Sequence, residues 1–125
     1  MSKLEIVFEE NDTSCDKFCK QILMIIRFFI GQNLNGLCML FLEIFRNIYD
    51  HANGTGKIVL IKNTNSIKFI IFDFGKGNKL TKIRNDKVNF GAGVSMIKDI
   101  AESLGIELKV DTSKGFYYEG IYYIK

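Results

Sequence analysis

Alternation opens the chain. Leu4, Ile6 and Phe8 fall on one side and Glu5 and Glu9 on the other, which predicts a first strand with one face inward. After a break at Asn11–Ser14, where Thr13 followed by Asp16 resembles a helix start, the period changes. Phe18, Ile22, Ile25, Ile26 and Phe29 form one stripe, with Lys17, Lys20, Gln21 and Arg27 opposite, and the helix is expected to end near Gly31. Asn35 is the expected cap of a second helix, in which Leu37, Leu40, Ile44 and Ile48 repeat every three or four residues. Asn53–Gly56 stops it. Ile58–Ile61 and Ile67–Phe72, parted by Lys62–Ser66, read as an antiparallel hairpin in the middle of a sheet. Asn78–Asn89 has no period and reads as a mobile loop. A third helix is expected directly after Gly91-Ala92-Gly93, with Ile97, Ile100, Ala101 and Leu104 on its inner side and Gly105 as its left-handed cap. Ile106–Val110 alternates, as does Tyr117–Ile124, where strand packing accounts for the tyrosines as well as an exposed interface does. The order β-α-α-β-β-loop-α-β-β predicts an α+β fold, with strands adjacent in sequence pairing antiparallel and three helices covering one face of the sheet.

Polar residues interrupt this pattern at a few places. Glu43, Asn47 and Asp50 run along the edge of the second helix beside its apolar stripe. Asn47 offers an oxygen to a magnesium ion, a hard cation that takes oxygen ligands. Glu43, one turn earlier, is placed to accept a proton from an attacking hydroxyl. Asp73 closes the second strand of the hairpin, where a carboxylate accepts a hydrogen bond from an exocyclic amine and so separates adenine from guanine. Gly75 and Gly77 allow a flat ring to approach the main chain, and Gly91-Ala92-Gly93 at a helix start offers N–H groups to phosphate. Each group has a plainer reading: polar helix edges reach water, and DxGxG also makes a turn. Arg84 and Lys87 read equally as phosphate ligands and as part of a solvated loop.

Composition narrows the classes. At 125 residues with 47% hydrophobic and 25% charged, the chain reads as one domain, 1–125. A net charge of +3 with scattered acids argues against a nucleic-acid surface. The run Ile22–Ile30 is too short to span a bilayer, and no signal peptide opens the sequence, so a soluble, cytoplasmic protein is expected. Cys15, Cys19 and Cys38 lack further ligands at zinc spacing and read as small buried hydrophobes.

Taken in order, the polar groups resemble the motifs of the GHKL superfamily, the ATP-binding fold of histidine kinases, gyrase-type ATPases, Hsp90 and MutL. Glu43-x-x-x-Asn47 resembles the N box, Asp73-x-Gly75-x-Gly77 the first glycine box and Gly91-x-Gly93 the second. The resemblance implies a Bergerat-type two-layer α/β sandwich with a mixed, mainly antiparallel sheet. It implies ATP and Mg2+ as cofactors, and a lid at Asn78–Phe90. It also implies ATP contacts at Asn47, Asp50, Asp73, Gly75, Gly77, Arg84, Gly91, Ala92, Gly93 and Val94, with Asn47 on magnesium and Glu43 as catalytic base. Asp50-His51-Ala52 and the Gly91–Ile97 segment make the chain most similar to the anti-sigma factor serine kinases. That subgroup implies phosphoryl transfer to a partner protein, a sigma factor and an antagonist as partners, and a possible homodimer. A non-catalytic nucleotide-dependent binding module and a detached histidine-kinase catalytic domain are the alternatives. The chain departs from the family pattern at Asn78, and at Gly120-Ile121 where the family carries Gly-Thr.

Overall fold

The computed structural model describes residues 1–9, 14–51, 55–73, 87–113 and 115–124, with 51 and 87–92 described for their backbone alone. The elements are β1 (Ser2–Phe8), α1 (Cys15–Ile30), α2 (Asn35–His51), β2 (Gly56–Lys62), β3 (Ser66–Asp73), α3 (Lys87–Ser103), β4 (Lys109–Asp111) and β5 (Tyr117–Tyr123). The expected order of strands and helices is borne out among the described residues, whereas the loop expected over Asn78–Asn89 lies outside them up to residue 86 and is helix from Lys87 on.

The helix boundaries follow from local chemistry. Ser14 caps α1 by accepting from the Lys17 N–H at 3.3 Å, one residue beyond the expected Thr13, which lies outside the described residues. Gly31, at φ 74°, ends the helix in the left-handed conformation. Lys62 Nζ donates to the Ile30 carbonyl at 2.8 Å, which ties the end of β2 to the end of α1. The Leu34 carbonyl accepts from the Cys38 N–H at 3.0 Å, so Leu34 takes the cap position expected of Asn35. On α1 the buried stripe is Phe18, Cys19, Ile22, Leu23, Ile26 and Ile30, whereas Ile25 is 47% exposed and not part of it. The α2 stripe is as expected, and Phe41 and Phe45 widen it.

The sheet order is β1-β2-β3-β5-β4 and every strand pair is antiparallel, which corrects the expected mixed sheet. The reason lies in the return from α3. β4 runs in the same direction as β3, but β5 folds back between them, so the two never pair. β2 and β3 are the expected central hairpin, closed by the Asn63 N–H on the Ser66 carbonyl at 2.8 Å. β4 is shorter than the alternation of Ile106–Val110 predicts, because the chain forms a strand only from Lys109.

Burial alternates along β2 and β3, with Ile58, Leu60, Ile67, Phe69 and Ile71 all inward. α2 lies on this face, with Phe41 edge-on to Phe69 at 5.2 Å, and it packs against both α1 and α3. The result is an α+β two-layer arrangement whose core joins all three helices to one face of the sheet. Among the described residues no helix is long and apolar enough to cross a membrane.

Candidate functional site

Only two buried polar side chains stand in the core among the described residues, Asn47 and Asp73, each 6% exposed. Burying such groups is costly unless they are paired, and the fold brings both toward Tyr118. Asn47 lies on the α2 face that meets β5, and its Nδ2 donates to the Tyr118 hydroxyl at 2.8 Å. Asp73 ends β3. Its N–H donates to the Phe116 carbonyl at 3.0 Å and its Oδ2 accepts from the Phe116 N–H at 2.5 Å, so the carboxylate extends the β3–β5 ladder by one pair. Tyr118 is fully buried. Its phenol is held well above the ordinary tyrosine pKa by burial, against the opposing effect of the Asn47 hydrogen bond, with a still smaller upward contribution from the negative charge of Asp73.

α3 closes the other side of Asn47. An ideal Cβ on Gly93 would lie 2.6 Å from Asn47 Oδ1, so only glycine lets the helix come this close. Oδ1 takes part in no hydrogen bond with any described residue. Among the described residues it is a buried acceptor without a donor, of the kind that needs an explanation. A cation would engage its lone pairs. Carboxamide oxygen suits magnesium, so the residues present fit that ion. They would hold it through Asn47, once Gly93 gives way.

The helix start differs from expectation. α3 begins at Lys87, so Gly91, Ala92 and Gly93 lie in its second turn and not ahead of it. The first-turn N–H groups of this helix therefore belong to residues 87–90. Val94 packs against the core. Asp50 is exposed, on the last turn of α2. Glu43 is half-buried, and its carboxylate meets Arg46 at 3.3 Å. Gly75, Gly77, Arg84 and the lid residues 78–86 lie outside the described residues, as does the His51 side chain.

Among the described residues, one opening of about 230 Å³ borders Asp73 but is also walled by Asp111, so an anion there would face two carboxylates. Another of about 480 Å³ runs between α1 and α2 past Leu23, Leu42 and Arg46 and touches none of the expected site residues. Cys15 and Cys19 lie with their sulfurs 4.0 Å apart, and no cluster of three or more metal-ligating side chains occurs among the described residues.

Sequence reasoning missed Tyr118 and Gly56. Tyr118 sits in a run of tyrosines that strand alternation explains, so only its pairing with a buried amide marks it. Gly56 reads as a helix stop, yet in the sheet it opposes Asp73, and a Cβ there would lie 2.1 Å from the Phe72 carbonyl oxygen. A glycine at the first position of an apolar strand was the available signal. Comparison with protein-family models and with curated proteins finds no match.

Proposed function

We propose that the protein binds ATP with magnesium in the manner of the GHKL superfamily, in a Bergerat-type arrangement, and transfers the γ-phosphate to a serine or threonine of a partner protein. The observation that supports this most is the buried Oδ1 of Asn47 beside Gly93, which has no donor among the described residues, at the point where the N box and the second glycine box would share a metal. Asp73 supports the adenine side, because the Phe116 main chain holds its carboxylate in one orientation at the strand end. Magnesium neutralises charge on the phosphates when bound. The chain supplies the rest: Asn47 offers its oxygen, Asp73 orients the base, and Glu43 accepts the hydroxyl proton of the acceptor. Binding requires the first turns of α3 to move off Asn47.

The Glu43–Arg46 contact favours the second reading, a nucleotide-dependent binding module without turnover, in that it engages the carboxylate. Pairs this exposed are worth little, so it does not hold Glu43 back from a substrate hydroxyl. A sigma factor and its antagonist as partners, and a cytoplasmic location, follow from the family resemblance.

Calorimetry with ATP and GTP, each with magnesium or with EDTA, tests the reading. Magnesium should tighten ATP binding. GTP should bind roughly 1–3 kcal/mol more weakly, because guanine turns a carbonyl toward the buried Asp73 acceptor. Equal affinity for the two nucleotides overturns the adenine assignment, and absence of binding to either overturns the whole reading.

A further inference from the structure

We infer that Tyr118 is a positioning residue for Asn47, fixing its carboxamide so that Oδ1 and not Nδ2 faces the metal side of the site; this rests on the proposed nucleotide reading. A carboxamide is nearly symmetric in shape, and its two ends differ only in what they bond. Turned the other way, Asn47 would present an N–H pair to a cation and repel it. The choice between the two orientations therefore decides whether the residue can act as a ligand at all.

The neighbours of Tyr118 settle it. A tyrosine hydroxyl offers its oxygen lone pairs to a donor. Asn47 Nδ2 takes that place at 2.8 Å. Oδ1 is thereby directed at Gly93, which carries no side chain to cover it. Tyr118 and Asn47 thus form a buried polar pair that joins β5 to the middle of α2. Partners that orient a ligand in this way typically contribute 10–100-fold in metal affinity.

Tyr118→Phe keeps the ring and removes only the hydroxyl. It should lower magnesium-dependent ATP affinity about 10–100-fold while leaving affinity in EDTA unchanged. Asn47→Asp in the same background should restore the magnesium dependence, since a carboxylate presents oxygen whichever way it turns. Equal losses with and without magnesium would indicate a merely structural tyrosine and overturn the inference, as would an unchanged magnesium dependence.

If Tyr118→Phe does not fold, the nucleotide-free wild type carries the test. One Asn47 side-chain N–H should be protected from exchange by NMR, and an unprotected amide overturns the inference. Protection without any nucleotide binding would leave the amide orientation standing, overturn the ATP reading, and overturn the role in metal binding with it.

Discussion

The two buried polar side chains are equally shielded from water but are held by different means. Asp73 is bonded to main chain, both ways, at Phe116, and the glycine opposite it, Gly56, presses on main chain as well. Asn47 is bonded to a side chain, the Tyr118 hydroxyl, and its glycine, Gly93, presses on the Asn47 side chain itself. One end of the site is therefore built into the sheet and the other into replaceable side-chain contacts. Main chain moves only with its strand, whereas a side chain moves by a rotamer. The Asp73 end should thus behave as rigid and the Asn47 end as adjustable, which suits a base-reading acid and a metal ligand that must open to admit its ion.

The largest effect expected from this difference is at Gly56. A methyl there would meet the Phe72 carbonyl oxygen at 2.1 Å, Asp73 Cα at 2.8 Å and the Phe8 ring at 2.8 Å. Two of these are backbone, so β2 and β3 must part. Gly56→Ala should cost roughly 3 kcal/mol, the upper end for overpacking, read as the shift in urea unfolding free energy. A cost below about 1 kcal/mol would show that this end adjusts as easily as the other.

How far the sequence reveals this site depends on the same distinction. Asn47 stands out in the sequence because it is polar in a helix whose apolar stripe, Leu37, Leu40, Ile44 and Ile48, is fully buried as expected. Asp73 stands out because it ends an apolar strand. Their partners do not. Tyr118 is one tyrosine of several, and its contact with Asn47 crosses 71 residues of sequence, beyond the reach of any local pattern. The start of α3 is misread for a related reason. Glycine costs about 1 kcal/mol in a helix relative to alanine, so Gly91 and Gly93 read as a break, yet the helix runs through them from Lys87. Ile97 and Ala101, both buried, anchor the same helix further on, and tertiary packing overrides local propensity. On α1 the expected stripe holds except at Ile25, which is 47% exposed because Cys19, Leu23 and Ile30 complete the buried face in its place.

A smaller effect is expected at Gly93, and it takes a different form. The methyl of Gly93→Ala would meet Asn47 Oδ1 at 2.6 Å, but that atom ends a side chain that can turn away. The strain of about 1 kcal/mol is offset by alanine's helix advantage of about 1 kcal/mol. What remains is the buried Asn47–Tyr118 hydrogen bond, so stability should fall by about 1–2 kcal/mol as Asn47 is pushed off Tyr118. Side-chain amide exchange in the nucleotide-free protein should show at least a roughly tenfold loss of protection at Asn47. A large loss of stability with protection intact would mean that Asn47 is as fixed as backbone, and the contrast between the two ends would be gone.

The smallest effect reads Tyr118 through pH. Its phenol is buried, which outweighs the opposing hydrogen bond from Asn47, so the folded protein holds the proton more tightly than the unfolded chain, where tyrosine titrates near its ordinary value of 10.0. A folded pKa raised above the unfolded one means that this contribution is present in full below pH 10 and is lost as pH rises beyond it, because the unfolded state gains by ionising and the folded state does not. Burial holds Cys19 up to about 12 from 9.0, and Tyr117 is raised mainly by its hydrogen bond to Glu119, so the wild type alone would lose stability in alkali from several groups. The comparison with Tyr118→Phe removes those shared contributions. Between pH 10 and 11 the wild type should lose about 1 kcal/mol more than the variant, since one proton is worth about 1.4 kcal/mol per pH unit. The measurement is urea unfolding at fixed pH on both proteins. Parallel curves across that range would mean that the folded phenol ionises as freely as an unfolded one, and the dry setting in which Tyr118 holds Asn47 would be gone.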